Sequence, residues 1–177
     1  MKKQVHYIEA AKHFLDVYDT YYSKYYDTSY GNKYLATQRA AMELSKRSNG
    51  KISIDFRHGM TRCVLIVNDF FVVKVDYKKW GDCGSCYSEL RMFKQAEREG
   101  YGYAFCPVRR YCVNHHAYYI MPYCTTAEDE GGEPLEELDE GAYDYIYERV
   151  ADLHDGNIGW WDGKPVLIDY AANQFTW

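Results

Sequence analysis

Asp152-Leu153-His154-Asp155-Gly156-Asn157, followed by Pro165-Val166-Leu167-Ile168-Asp169, is the stretch on which the reading of this chain turns. Asp152 and Asn157 stand at the two ends of a short polar loop. Asp169 follows an apolar strand that would hold its carboxylate at the strand's end. The turn formers Asp162-Gly163 fold that strand back, so Asp169 can approach Asn157. Two carboxylates and one amide oxygen suit Mg²⁺, which takes oxygen ligands and keeps positions open for phosphate and water. A third carboxylate, Asp155, sits mid-loop and is expected to face solvent.

Working outward, residues 5–27 read as a helix with Val5, Ile8, Ala11, Phe14, Leu15, Tyr18, Tyr21, Tyr22 and Tyr25 at three- and four-residue steps. A second helix is expected over 33–47, ended by Ser48-Asn49-Gly50. The period then changes to alternation, giving strands near 52–56, 63–67 and 70–75. Arg57-His58-Gly59-Met60 forms the first turn and Asn68-Asp69 the second. A helix over 85–99 follows a loop at 76–84. Two strands near 106–113 and 117–121 meet at Asn114-His115-His116. An acidic loop, 128–133, precedes a helix expected from Pro134 to about Val150, and the chain closes with two short strands around Asp162-Gly163-Lys164. No internal repeat is visible.

This order of elements and the loop's wording resemble one superfamily. Asp152-Leu153-His154-Asp155-Gly156-Asn157 is similar to the catalytic loop of kinase-like phosphotransferases in the D-L-H-x-x-N form, with Asp and Asn five residues apart as in protein kinases. Ile168-Asp169-Tyr170 resembles the position those families write as D-F-G or I-D-aromatic. The resemblance implies Asp152 as the catalytic base, Asn157 and Asp169 as Mg²⁺ ligands, and His154 as a brace for the loop. Val72-Val73-Lys74-Val75 resembles V-A-I-K, so Lys74 would hold the α/β-phosphates of ATP. Glu89, 15 residues on, would be its ion-pair partner, with Glu97 as the fallback. Met121 falls at the gatekeeper position, and the backbone around Tyr123 falls where an adenine ring would be met. Alternation alone permits Lys74 on either strand face, including the wet face of an edge strand.

By this resemblance the fold is α+β. A five-stranded antiparallel small lobe with one αC-like helix spans residues 50–124, and a minimal large lobe spans 125–177. Residues 1–49 form an N-terminal helical extension, expected to pack under the shortened large lobe. The pattern is similar to small, truncated kinase-like proteins encoded by tailed phages. It departs from the family in three places. The first turn has only Gly59 where a glycine-rich loop is usual, leaving Arg57, His58 or Arg62 to supply positive charge. Val150-Ala151 stands where protein kinases have His-Arg. The sequence ends eight residues after Asp169. The expected function is ATP- and Mg²⁺-dependent phosphoryl transfer to a protein or small-molecule hydroxyl. The alternative is an inactive pseudokinase that binds a host or regulatory protein.

Composition narrows the classes further. With 177 residues and net charge -5, the chain has no general attraction for nucleic acid or anionic membrane. No apolar run approaches the roughly 20 residues a membrane helix needs, and Met1-Lys2-Lys3-Gln4 does not open a signal peptide. A cytoplasmic protein with reduced thiols is the expectation. Cys83-Gly84-Ser85-Cys86 is a CxxC, and Cys112 with His115 or His116 could supply zinc with a second ligand pair, at irregular spacing. The 20 tyrosines favour half-buried positions, because the ring buries while the hydroxyl stays wet.

Overall fold

The computed structural model describes residues 2–29, 32–77, 79–80 and 83–171, with backbone alone at 2–5, 79–80 and 83. The chain is α+β. Contacts divide it into two compact units, residues 1–86 with 109–123, and residues 87–108 with 124–177. The division therefore falls inside the 85–99 helix and joins the N-terminal helices to the sheet, unlike the sequence-based boundaries at 49 and 124. Among the described residues, no helix is long and apolar enough to cross a membrane.

The first unit is built on a five-stranded antiparallel sheet. Its strands are β1 (Ile54–His58), β2 (Arg62–Val67), β3 (Phe71–Asp76), β6 (Arg109–Val113) and β7 (His116–Pro122), after the short β4 (Lys79–Trp80) and β5 (Cys83–Gly84), which pair with each other. The order β1-β2-β3-β7-β6 makes β3 the central strand. Two hairpin turns carry positive φ at Asn68 and Asp69, and at Asn114 and His115. Asn and Asp tolerate this conformation because their short side chains bond locally. Strand β1 runs two residues later than the sequence suggests. Ser53 instead exchanges bonds with Asn68: its N–H donates to Asn68 Oδ1 at 2.7 Å and its carbonyl accepts Asn68 N–H at 3.0 Å. The ladder continues through Arg57 and His58, which pair with Val64 and Cys63, so the turn shrinks to residues 59–61.

Helices α1 (Lys2–Thr28) and α2 (Lys33–Arg47) cover one face of this sheet. Asn32 caps α2 by accepting the Leu35 N–H at 3.1 Å, satisfying one of the donors a helix start leaves open. Tyr7, Phe14, Leu15, Tyr18 and Tyr22 from α1 join Leu65, Val67, Phe71, Val73, Val75, Tyr118 and Ile120 from the strands in one core. Full burial of each such side chain contributes about 1.5–3 kcal/mol. The sheet of the same unit is thus what the helices cover, where the sequence reading expected the large lobe. The alternating strands offered an apolar face wide enough for two helices.

Within this core lies a buried carboxylate. Asp19 accepts hydrogen bonds from Tyr118 Oη, from Asn114 Nδ2 at 2.9 Å and from Ser23 Oγ at 3.3 Å, and it meets His116 Nδ1 at 2.8 Å. Burial, reinforced by the Asp19 carboxylate, raises the Tyr118 phenol far above its ordinary range, which keeps it a neutral donor.

The second unit contains most of α3 (Ser85–Glu99), a 3₁₀ turn (Gly102–Ala104), α4 (Ala127–Glu130), α5 (Glu140–Tyr147) and a second 3₁₀ turn (Asp155–Asn157). Its small sheet has the order β10 (Lys164–Leu167), β9 (Ile158–Trp161), β8 (Thr125–Thr126). The helix expected over 134–150 is shorter. Asp139 accepts the Ala142 N–H at 2.9 Å and so starts α5 at Glu140, after a turn over 134–138. The acidic loop holds the one-turn α4, where the Thr126 N–H donates to Asp129 Oδ2 at 2.9 Å. Helix α5 is fastened to the end of α3. Tyr145 stacks on Tyr101 with centroids 4.2 Å apart and donates to Glu99 Oε2 at 2.7 Å, and the Arg149 guanidinium lies 4.0 Å over the Tyr145 ring. The Tyr145 hydrogen bond, then one from Gln95, holds the Glu99 carboxyl below its usual range.

Asp19→Ala should destabilise the chain by roughly 3 kcal/mol, since it strands buried donors without an acceptor. The control is Asp16→Ala on the same helix, which loses only an exposed Tyr111 hydrogen bond of 3.2 Å and should shift stability by no more than about 0.5 kcal/mol. Urea unfolding of the two variants checks this, and equal midpoints would contradict it.

Candidate functional site

The loop after α5 is shaped by His154. Its backbone is extended and its Nδ1 accepts the Gly156 N–H at 3.1 Å, which opens the 3₁₀ turn Asp155–Asn157. An Nδ1 that accepts leaves the ring proton on Nε2, and Nε2 lies 3.7 Å from Asp152 Oδ1. A Cβ at position 156 would come within 2.9 Å of His154 Cε1 and 3.0 Å of Nδ1, so a larger residue here displaces the exposed His154 ring. Asp155 is no solvent-facing spare. Its Oδ1 accepts the Leu135 N–H at 3.1 Å and ties the 134–138 turn to the loop. The Asp152 side chain is 68% exposed.

Asn157 is the junction of the site. Its Nδ2 donates to the Asp152 carbonyl at 2.8 Å, which closes the loop and orients Oδ1 away from that bond. Its own carbonyl accepts two N–H groups, Ile168 at 2.7 Å and Asp169 at 3.3 Å. The β9–β10 hairpin, turning at Asp162 and Gly163 with Leu167 paired to Ile158, delivers those donors. Asn157 and Asp169 therefore start from hydrogen-bonded backbone positions. The residue after Asp169 is anchored twice more. Tyr170 N–H donates to Glu89 Oε1 at 3.2 Å, and Tyr170 Oη donates to the Cys106 carbonyl at 2.6 Å. Glu89 and Tyr170 are both fully buried. A buried carboxylate is costly unless its oxygens are satisfied, and this amide supplies one of the bonds.

The fallback Glu97 is exposed on α3, and the remaining expected residues lie in the first unit. Lys74 is buried in the central strand, opposite Val64 and Tyr119. It is not on an edge strand. Strand alternation puts it on the face away from α1 and α2, since its neighbours Val73 and Val75 belong to the helix-covered core. Met121, buried and paired with Val72, shares Lys74's face. So does Tyr119, whose phenol is pushed up to about 12 by burial and then by the Asp76 carboxylate. Lys74, Glu89 and Asp169 each have a partner, so none is a lone buried charge.

Three residues expected at the nucleotide, Arg57, Gly59 and Tyr123, make bonds within the first unit. Arg57 Nε pairs with Asp55 Oδ2 at 2.8 Å on the exposed face of β1. Gly59 N–H donates to the Arg62 carbonyl at 3.0 Å, and the Gly59 carbonyl accepts from Tyr77 Oη. The Tyr123 N–H donates to the Phe70 carbonyl at 3.2 Å. These bonds follow from antiparallel pairing carried to the strand ends, a demand on backbone groups that spacing does not display.

Among the described residues, no group of three or more His, Cys, Asp and Glu side chains could hold a metal ion. That leaves the mixed carboxylate–amide set around Asn157 as the oxygen-donor arrangement to consider. Of the CxxC, Cys86 is buried, and the Cys83 side chain lies outside the described residues. Sequence reasoning missed the Asn157 carbonyl and the Tyr170–Glu89 bond, which are backbone events without a side-chain signature. It also passed over Thr126-x-x-Asp129, a helix-start pattern that was legible. No protein-family model matches the chain, and none of the curated proteins matches its sequence.

Gly156→Ala should push the exposed His154 ring out of its bond to the 156 N–H and cost up to about 1 kcal/mol, the worth of that hydrogen bond. With His154→Ala the bond is already absent, so Gly156→Ala should cost less in that background. A double-mutant cycle by thermal unfolding measures the coupling. Strictly additive effects would contradict this account of the loop.

Proposed function

We propose that this protein is a kinase-like phosphotransferase that uses Mg²⁺–ATP and phosphorylates a hydroxyl group. One observation carries the reading. The Asn157 carbonyl accepts the N–H groups of Ile168 and Asp169, while the Asn157 amide is fixed on the Asp152 carbonyl. An amide oxygen and a carboxylate are thereby offered from adjoining backbone positions beside an exposed carboxylate. This donor set fits Mg²⁺, which is held by one or two carboxylates and completes its shell with phosphate and water.

The residue roles follow from the demands of the reaction, in which positioning and charge neutralisation dominate. Bound Mg²⁺ supplies neutralisation of charge on the β- and γ-phosphates. Asn157 Oδ1 and the Asp169 carboxylate hold the ion. Asp152, exposed and braced by His154, orients the acceptor hydroxyl and takes its proton. Lys74 carries positive charge to the α/β-phosphates. Glu89, fully buried, is the glutamate that the sequence resemblance assigns to that charge. Met121 limits the adenine pocket from the sheet face it shares with Lys74. Backbone groups around Tyr123 border the adenine in this reading, with the Tyr123 N–H itself donating to the Phe70 carbonyl.

A second reading, a kinase-like binding protein without catalysis, has its own support. The turn over 59–61 is closed by its own hydrogen bonds, and Arg57 is paired with Asp55. Neither offers a phosphate the free backbone donors of a glycine-rich loop.

Thermal shift with Mg²⁺–ATP, followed by transfer of ³²P from labelled ATP, separates the two. At about one hundred times its dissociation constant, ATP should add about 2.7 kcal/mol of stability. Asp169→Ala should remove the Mg²⁺-dependent part. Asp152→Asn should keep the shift and lose transfer by at least about 100-fold. A shift without transfer to the protein itself or to lysate proteins selects the second reading. No shift at all contradicts the first.

A further inference from the structure

We propose that Cys106 and Cys124 form a thiol pair that a hydroperoxide oxidises to an intramolecular disulfide, joining the two segments that pack against the arms carrying Asn157 and Asp169. Both cysteines belong to the second unit, and their sulfurs lie 3.4 Å apart. A disulfide bond is about 2.05 Å long, so closure requires the sulfurs to approach by about 1.4 Å. Side-chain rotation shared between two residues covers much of that distance.

The neighbours of the pair give the bond its consequence. The Cys106 N–H donates to the Leu167 carbonyl at 2.9 Å, its carbonyl accepts from Tyr170 Oη at 2.6 Å, and Phe105 bridges Leu167 in parallel. Cys106 is therefore bonded to residues on both sides of Asp169. Cys124 lies against the other arm. A Cβ built on Gly159 would sit 3.1 Å from Cys124 Cβ and 2.6 Å from the Thr125 carbonyl, so glycine is what lets Cys124 and β8 press on β9 two residues past Asn157. One sulfur reports on the Asp169 arm and the other on the Asn157 arm.

Both thiols are buried, Cys106 at 1% and Cys124 at 6% exposure. That selects a small oxidant over a bulky one and makes Cys124 the first sulfur reached. The Cys124 thiol gives up its proton and its sulfur attacks one oxygen of the hydroperoxide. An S–O bond forms, the O–O bond breaks, and the leaving hydroxide takes the proton as water (for hydrogen peroxide). Cys106 sulfur then attacks the resulting sulfenic acid. The S–S bond forms, the S–O bond breaks, and a second water leaves with the Cys106 proton. Two thiols are oxidised by two electrons and one peroxide is reduced. The nearby second thiol favours disulfide over further oxidation to sulfinic acid. The other described cysteines belong to the first unit: Cys63 is buried with its thiol pushed up to about 12, Cys86 is buried, and Cys112 is exposed. The inference does not depend on nucleotide chemistry.

The test uses the full chain carrying Cys112→Ser, since Cys112 and Cys124 share one tryptic peptide. The protein is treated with hydrogen peroxide, alkylated under denaturing conditions and digested without reductant. The expected product is peptide 99–109 linked to peptide 111–149, lighter than their sum by two hydrogens and released by dithiothreitol. Amide exchange at Ile168, Asp169 and Tyr170 should slow several-fold in the oxidised form and recover on reduction. Cys124→Ser should abolish both effects. Recovery of Cys106 and Cys124 as separate alkylated or sulfinic peptides overturns the proposal. Their linkage to Cys83 or Cys86 overturns it equally.

Discussion

The main-chain carbonyl of Asn157 holds the second unit's chemistry together. It accepts two N–H groups from the strand that ends in Asp169, and the side chain of the same residue closes the loop that begins at Asp152. A carbonyl has two lone pairs and can serve two donors. Here that capacity ties the loop that begins at Asp152 to the strand that ends at Asp169. Every role assigned to Asp152, Asn157 or Asp169 requires this junction to persist. The supports behind it are layered: His154 shapes the turn, Asp155 fastens it to residue 135, and Tyr170 anchors the far side through Glu89 and the Cys106 carbonyl. Sites that must hold oxygens to a fraction of an ångström need such backing.

The first unit solves a different problem. A five-stranded antiparallel sheet has two faces, and one of them is covered by α1 and α2 through a layer of stacked and edge-on tyrosines. Tyr18, Tyr22 and Tyr118 bring large buried area together with hydroxyls that need partners. Thr37's carbonyl and Asp19 accept two of those hydroxyls. The opposite face carries Lys74, Tyr119 and Met121. A buried lysine in a central strand is an expensive placement that packing alone does not favour, which is why it bears on function.

Much of this was legible in the sequence where side-chain chemistry dictates local backbone. Asn68-Asp69 and Asn114-His115 announce hairpins because such residues accept positive φ, and the 33–47 and 85–99 helices coincide with the structure. The helix drawn from Pro134 was too long for a specific reason. Leu135 and Leu138 fall in helical step with Ala142, but Asp139 caps the helix behind them and Asp155 takes the Leu135 N–H. A cap and a repeat period compete over those residues, and the sequence pattern shows only the period. The candidate ligands were legible as residue types at a spacing. The junction was not, because it is made of backbone carbonyls and amides. The occupied donors at Gly59 and Tyr123 were hidden for the same reason.

The most direct measurement replaces Mg²⁺ with paramagnetic Mn²⁺ and records amide resonances of the isotope-labelled protein with ATP present. Selective broadening should centre on residues 156–158 and 168–170 at substoichiometric Mn²⁺, and Asp169→Ala should abolish it. Broadening confined to the acidic segment 128–137, or spread evenly over surface carboxylates, would contradict the claim that Asn157 and Asp169 hold one ion.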